Sequence, residues 1–264
     1  LIVIIGVVLG FIATTNSSKA LTEQLEQQIT EKTNDNLRYL EERFNRSFAE
    51  LEGIAANDTI KSMDLDKQKE YLADQIDNLD YLTLAIVTPD GTAHYIDDTT
   101  ADLGDRDYII DAFDGKSSMS EIIISRATNE PVMMLSSPIK QGAEVVGVLI
   151  ARIDGFYLSD ITDEIAFGET GYAFMLNAEG TFLAHVNREL VEEQVNYTTE
   201  GGVNADTVNR LISEESGVFD YDYEGIKRFV AFDKLDNGWT LVVGAYDEEF
   251  TSKISGLKTV ITIF

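Results

Sequence analysis

The stretch GYAFMLNAEGTFLAHV, from Gly171 to Val186, holds two apolar, β-rich runs on either side of the turn Ala178-Glu179-Gly180. Such a pattern is typical of a β-hairpin. An earlier stretch, LTLAIVTPDGTAHYI at residues 82–96, follows the same plan: an apolar run, an acid-Gly-Thr turn, and a second run that includes a histidine. The chain therefore repeats one structural plan, and we predict two modules in tandem.

The same elements follow each hairpin. The first is followed by a short predicted helix, DRDYIIDAFDGK at 105–116, which ends at a glycine, and then by three predicted strands: MSEIIISR (119–126), PVMMLSSPIK (131–140) and VVGVLIARID (145–154). The second is followed by a predicted helix at 205–214 and the strands GVFDYDY (217–223), KRFVAFDKL (227–235) and WTLVVGAY (239–246). This order predicts an α+β fold.

A long amphipathic helix is predicted before the first hairpin. Apolar residues recur from Leu21 to Ala55 at helical spacing, and no proline or glycine interrupts them before Gly53. We predict a stalk helix over residues 19–62, and a second helix over 65–79. Two interpretations of the apolar stripe stay open, because it can pack on the modules of its own chain or on a dimer partner.

The two ends of the chain are apolar. LIVIIGVVLGFIA at residues 1–13 carries no charge, and we expect residues 1–18 to be the end of a first membrane-spanning helix. We expect residues 247–264, which finish in LKTVITIF, to lead into a second one. The alternatives are a signal peptide at the start and a core helix at the end.

Composition excludes several classes of function. The 47 acidic residues against 20 Lys and Arg leave a formal net charge of −27, which repels nucleic-acid phosphates. The chain has no cysteine, and its two histidines, His94 and His185, are far apart in sequence. No P-loop, nucleophile elbow or paired His–Glu zinc signature occurs. We therefore expect no nucleic-acid partner, no metal, no cofactor and no enzymatic activity.

Longer stretches of the sequence resemble a known family. FGETGYAFMLNAEGTFLAHV (167–186) and GVFDYDYEGIKRFVAFDKLDNGWTLVVGAYDEE (217–249) resemble the membrane-proximal half of double Cache (dCache) sensor domains. LGDRDYIIDAFDGK (103–116) and PVMMLSSPIKQGAEVVGVLIARID (131–154) resemble the membrane-distal half. The resemblance implies a long N-terminal helix carrying two PAS-like modules, each with a central antiparallel sheet. It also implies a distal, ligand-binding module at 63–160 and a proximal module at 161–246.

The resemblance implies a function as well. We expect an extracytoplasmic sensing region, attached to the cytoplasmic membrane by two helices, in a homodimeric methyl-accepting chemotaxis receptor. Histidine kinases and diguanylate cyclases with similar sensing regions are the alternative. A ligand-free dimerisation or partner-binding module is another, and it would have Arg152 paired within the chain.

The same resemblance suggests binding residues. In family members that bind amino acids, the distal helix supplies an arginine followed by aromatic residues, and Arg106 and Tyr108 match that pattern. A tyrosine five residues before the arginine is replaced here by Ala101. Two acids that hold the ligand ammonium fall at Arg126 and Arg152, although Asp154 is a second candidate for the latter position. Two bases in place of two acids argue against an α-amino acid.

Arginine forms planar, bidentate pairs with carboxylates. We therefore predict a small anionic ligand, such as a carboxylate, held in one pocket by the following set: Arg106, Arg126, Arg152, Asp154, Tyr95, Tyr108 and Ser125. The alternative is that the arginines serve internal ion pairs. The candidate pairs are Arg152 with Asp154, Arg126 with Glu130, and Arg106 with Asp102, and helix capping is a further alternative for Arg106.

Overall fold

A computed structural model describes residues 2–165, 167–200, 205–223 and 225–249 of the chain. Its first helix, α1, spans Ile2–Ala55 and is therefore roughly 80 Å long at a rise of about 1.5 Å per residue. The predicted stripe is buried within the chain itself, since Ile29, Leu40 and Leu51 have no exposed surface. The long helix is confirmed, although it ends at Ala55 rather than near residue 62.

The structure describes the two apolar ends of the chain only in part. The first predicted segment is helical from Ile2 as the beginning of α1. Across the described ranges, no helix combines the length and the apolar character that crossing a membrane requires. Most of the second predicted segment, residues 250–264, lies outside the described residues.

The later elements follow the predicted order. The further helices are α2 (Asp58–Lys61), α3 (Leu65–Ile76), α4 (Asp107–Phe113), α5 (Tyr157–Asp163), α6 (Glu189–Glu192), α7 (Tyr197–Glu200) and α8 (Ala205–Ser213). The strands are β1 (Thr83–Val87), β2 (Thr92–Tyr95), β3 (Thr100–Asp102), β4 (Ser118–Met119), β5 (Ile123–Ile124), β6 (Pro131–Gln141), β7 (Glu144–Asp154), β8 (Tyr172–Leu176), β9 (Phe182–Ala184), β10 (Ser216–Tyr223), β11 (Ile226–Lys234) and β12 (Thr240–Tyr246).

The strands build two antiparallel sheets. The first sheet has the order β3-β2-β1-β7-β6-β4, with β5 also paired to β6, and the second has the order β10-β11-β12-β8-β9. The path β2-β1-β7-β6 of the first sheet corresponds to β9-β8-β12-β11 of the second. The tandem plan predicted from the two hairpins is therefore confirmed, and so is the α+β class with a long N-terminal helix.

The chain divides into two compact units, each built around one sheet. The first-sheet unit comprises residues 40–158 with 191–194. The second-sheet unit comprises residues up to 39, 159–190 and those from 195 onward. The module boundaries predicted from the sequence, at 62/63, 160/161 and 246/247, remain predictions.

The turn of the first hairpin depends on glycine. Gly91 has φ of 87°, in the left-handed region that side chains other than glycine seldom adopt. A Cβ at this position would lie 2.7 Å from the Cα of Gly104. The acid–glycine turn that predicted the hairpin is therefore required both by the backbone angle and by a close approach of two chain segments.

One predicted strand is wrong. MSEIIISR forms two strands of two residues each, β4 and β5, instead of one continuous strand. Ser120 lies between them, and its Oγ accepts a hydrogen bond from the backbone N–H of Met134 at 2.9 Å. A side chain thus takes one of the positions that a backbone carbonyl occupies in a regular ladder, which interrupts the pairing with β6.

Candidate functional site

The residues predicted to bind a ligand surround one face of the first sheet. Side chains at directly paired positions of an antiparallel sheet share a face, and they recur every second residue along each strand. Tyr95, Met134 and Ile150 lie on this face and pack with Tyr108 of α4 in one apolar core. Arg152 follows Ile150 by two residues, so the same alternation places it at the end of this row.

Arg152 is a buried guanidinium without an ionic partner. It pairs in the ladder with Thr83 and Met134, and only 6% of its surface is exposed. Its Cζ lies 5.0 Å from the ring centroid of Tyr95, in a cation–π contact. Its Nε is buried and makes no hydrogen bond. No ion pair in the described part of the chain includes Arg152.

The alternative pairing of Arg152 with Asp154 is wrong. Asp154 is exposed at the end of β7, and its Oδ1 accepts a hydrogen bond from the backbone N–H of Phe156 at 2.7 Å. The carboxylate therefore serves the turn that follows the strand. Both side chains lie on the same face of β7, because the residues are two apart. Arg152 is nevertheless buried, whereas Asp154 is exposed because the strand ends there.

Two tyrosines complete the buried part of the predicted site. Tyr95 and Tyr108 are 2% and 5% exposed. Burial raises the pKa of each phenol above its ordinary value of 10.0, so both stay protonated at neutral pH. Within the described residues, neither hydroxyl takes part in a side-chain hydrogen bond. Their role as ligand contacts stays a prediction.

Arg106 and Arg126 lie near the N-terminal end of α4. Nη2 of Arg106 donates to the carbonyl of Ile124 at 3.3 Å, whereas its Nε is buried and makes no hydrogen bond. Arg126 forms a bidentate pair with Asp105, and its side chain is 40% exposed. Arg126 is thus already neutralised, while Arg106 and Arg152 each keep a buried nitrogen unsatisfied.

The other internal pairs proposed from the sequence are also wrong. Arg126 pairs with Asp105 and not with Glu130, and the carbonyl of Asp102 accepts from Nη1 of Arg126 at 2.9 Å. The carboxylate of Asp102 accepts from the N–H of Gly104 and makes no ion pair with Arg106. Loop geometry, which brings residues 102–105 next to residue 126, decides these partners.

Ser125 supports its own loop. It is 6% exposed, and its Oγ accepts hydrogen bonds from the backbone N–H groups of Ala127 and Thr128 at 3.2 and 3.3 Å. The side chain thereby holds the turn that presents Arg126. Its role as a direct ligand contact stays a prediction.

The stability contributed by the ion pair of Arg126 and Asp105 should depend on pH. Hydrogen bonds from Arg126 hold the pKa of Asp105 at about 2, below the ordinary value of 3.8. We expect Arg126→Met to return this pKa towards 3.8, as measured by NMR titration of the carboxyl carbon. Because the folded-state pKa is depressed, the stability from this pair is present above pH 3.8 and is lost as the pH falls towards 2.

The matched control for this titration is Glu130→Gln, which removes the partner suggested by the sequence. It should leave the pKa of Asp105 at about 2. A wild-type Asp105 that titrates at its ordinary value would show that the pair does not form in solution.

The structure also contains a cavity that the sequence analysis did not identify. It lies in the second-sheet unit, has a volume of about 550 Å³, and is lined by aromatic side chains around Arg228. Two features of the sequence could have indicated this cavity: a second arginine in an apolar strand, and tyrosines at alternating positions on the neighbouring strand.

Comparison with known proteins identifies similar sequences and folds. Residues 13–254 match the family dCache_1, described as a Cache domain. The methyl-accepting chemotaxis protein PctB of Pseudomonas aeruginosa is 29% identical over 77 residues, which are 29% of this chain and 12% of that protein. McpA of Bacillus subtilis is 26% identical over 137 residues, 51% of this chain and 19% of that protein. The chain thus spans less than a fifth of either relative.

Solved structures share the fold at low identity. The ligand-binding domain of the Pseudomonas fluorescens chemoreceptor CtaA, in complex with L-isoleucine, has a TM-score of 0.73 at 17% identity and covers 90% of this chain and 98% of its own. That of the Campylobacter jejuni chemoreceptor Tlp3, in complex with 4-methylisoleucine, has a TM-score of 0.70 at 14% identity, with coverages of 87% and 94%. Both confirm the predicted arrangement of a long helix and two sheets.

Proposed function

Because this chain belongs to the Cache-domain family dCache_1, which matches residues 13–254, we propose that it is the extracytoplasmic sensing region of a methyl-accepting chemotaxis receptor. In this proposal it is anchored in the cytoplasmic membrane by two helices, works as a homodimer and catalyses no reaction. The similarity to PctB and McpA supports a chemoreceptor over a histidine kinase or a diguanylate cyclase.

The proposed ligand is a small carboxylate that binds on the face of the first sheet that carries Arg152. The observation that carries this proposal is the buried guanidinium of Arg152, whose Nε has no partner. An unpaired charge in a low-dielectric site is costly, and a buried ion pair that loses one partner typically loses about 3–5 kcal/mol. A carboxylate that reaches Arg152 would supply the missing partner.

An α-amino acid fits this site less well than a plain carboxylate. The solved structures similar to this chain include complexes with L-isoleucine and L-arginine, so amino acids are the natural comparison. A zwitterion also needs an acceptor for its ammonium group. Three nearby acids are engaged elsewhere: Asp154 accepts from the N–H of Phe156, Asp105 pairs with Arg126, and Asp97 accepts from the N–H and the Oγ1 of Thr99.

A ligand bound at this position would contact α4 and the first sheet, and it could change how they pack together. Tyr108 and Arg106 lie at the start of α4, and the carbonyl of Tyr108 accepts a hydrogen bond from Oγ of Ser136 on β6 at 2.7 Å. A ligand that contacts Arg152 and this end of α4 would favour the conformation in which helix and sheet are close. It shifts the equilibrium only by its difference in affinity for the two conformations.

The test is a thermal-shift and calorimetry series with four-carbon compounds of matched length. We expect succinate to stabilise the protein, and neutral succinamide and cationic 1,4-diaminobutane to have no effect. At 100 times the dissociation constant, succinate should add about 2.7 kcal/mol, which is roughly 5–10 °C for a chain of this size. L-Isoleucine, L-serine and L-arginine complete the series. Stabilisation by these amino acids without any by succinate would refute the carboxylate proposal.

A further inference from the structure

We propose that the second-sheet unit contains a second binding site, for a small aromatic carboxylate, in the cavity around Arg228. The cavity is lined only by residues of this unit, among them Tyr172, Tyr223, Arg228 and Tyr246. It shares no residue with the site on the first sheet. Its volume of about 550 Å³ is within the ordinary range of small-molecule pockets.

The strand register concentrates aromatic residues around this arginine. Arg228 on β11 pairs directly with Tyr221 on β10 and with Tyr246 on β12. Directly paired residues share a face, and Tyr223 lies on the same face because it is two residues beyond Tyr221. Three neighbouring strands therefore project one cation and three phenol rings into the same space.

A glycine brings a fourth tyrosine across the sheet. Tyr172 on β8 pairs with Gly244 on β12, where a Cβ would lie 2.8 Å from the Tyr172 hydroxyl and 2.6 Å from Val230. Only glycine leaves room for the ring at this point. The Tyr172 hydroxyl consequently comes within 3.4 Å of the Tyr221 hydroxyl.

The guanidinium of Arg228 lies over aromatic rings and forms no ion pair with the part of the chain that the structure describes. Its Cζ is 4.8 Å from the ring centroid of Tyr223, 5.3 Å from that of Tyr172 and 5.4 Å from that of Tyr246. Its Nε is buried without a hydrogen-bond partner. No carboxylate in the described residues forms an ion pair with it. Arg228 thus resembles Arg152, because each cation lies against tyrosine rings and has no ion pair within the described residues.

The other titratable groups of the cavity do not neutralise this charge. Burial raises the pKa of Tyr172, Tyr221 and Tyr197, the last to about 12, so these phenols stay neutral. Burial lowers the pKa of His185, which is therefore neutral near pH 7. The acid that lines the cavity is the exposed Glu169 at its rim. The interior consequently favours an anion and repels a cation.

A second cluster of rings in the cavity indicates the rest of the ligand. Phe174, Phe182 and Tyr197 form a cluster of rings with centroid separations of 5.0 to 5.9 Å. Flat aromatic compounds pack well on such a wall through offset or edge-to-face contacts. A ring that carries a carboxylate can place its apolar body against this cluster and its charge against Arg228.

The experiment is isothermal titration calorimetry with benzoate on the whole chain. Neutral benzamide and cationic benzylamine have nearly the same shape. We expect benzoate to bind, benzamide to bind at least about tenfold more weakly, and benzylamine not to bind. Arg228→Ala should weaken benzoate binding at least about tenfold. Arg228→Gln, which keeps a polar side chain of similar length, should do the same if the alanine variant does not fold.

Two control variants separate this site from other effects. Arg210→Ala removes another arginine of the same unit, stacked 4.2 Å from the Phe219 centroid, and should leave benzoate binding unchanged. Arg152→Ala removes the proposed carboxylate partner on the first sheet, so that any benzoate bound there is lost while the binding that depends on Arg228 remains. The proposal is overturned if benzoate does not bind, if benzamide binds equally well, or if binding depends on Arg152 instead of Arg228. The first two of these results leave succinate binding at the first sheet untested, whereas the third would place benzoate at Arg152.

Discussion

Replacing Arg152 with methionine should stabilise the ligand-free protein by about 1–2 kcal/mol and abolish the response to succinate. Methionine fills a similar volume and removes a buried charge that has no ionic partner. The lost cation–π contact with Tyr95 offsets part of the gain, since such contacts contribute about 0.5–2 kcal/mol. If Arg152 only stabilised the fold, its replacement would instead lower the free energy of unfolding.

The affinity change should be large. Removing one partner of a buried charge pair typically costs about 3–5 kcal/mol, which corresponds to roughly a hundredfold to several thousandfold weaker succinate binding. The measurements are denaturant unfolding without ligand and calorimetry with succinate. Arg126→Met is the matched control, because Arg126 is 40% exposed and already paired with Asp105. It should change stability only slightly, because exposed ion pairs contribute little.

The opposite outcome has a clear meaning. If Arg152→Met lowers the free energy of unfolding and succinate still binds, Arg152 is a structural residue of β7. That result would support the alternative that the module binds no ligand and serves dimerisation or partner binding.

Replacing Leu51 with alanine should lower the free energy of unfolding by about 2–5 kcal/mol. Leu51 lies in α1 and has no exposed surface, so its truncation leaves a cavity in the first-sheet unit. Leu25→Ala is the matched control on the same helix, where the side chain is only half-buried. Leucine and alanine have similar helix propensities, so the difference between the two variants reports on packing.

This pair of variants also tests what the apolar stripe packs against. A large effect at Leu51 that does not depend on protein concentration indicates packing within one chain. If the two variants cost the same, and the cost falls as protein concentration rises, the stripe instead belongs to a dimer interface. Denaturant unfolding at several protein concentrations distinguishes the two cases.

Most of the fold could be predicted from local patterns. The acid–glycine turns at residues 90–91 and 179–180, and the helical spacing before Ala55, reflect backbone geometry and burial within single elements. The error at residues 119–126 has a non-local cause, because the Oγ of Ser120 binds the backbone of Met134. A pattern within one segment carries no information about such a bond.

The candidate site was only partly predictable. The family resemblance pointed to Arg106, Tyr108 and Arg152, and the structure places all three around the same core. It gave no means of identifying the cavity around Arg228, because the aromatic residues that line it come from four strands and a short helix spread over residues 172–246.

The sequence by itself determined the elements, their tandem order and the presence of arginines in apolar strands, since all of these follow from short-range periodicity. Only the tertiary structure decided which arginines are neutralised. Arg126 meets Asp105, whereas Arg152 and Arg228 lie against tyrosine rings and form no ion pair within the described residues. The physical reason is that an ion pair needs two groups within about 4 Å, and that distance depends on how separate strands and loops come together in space.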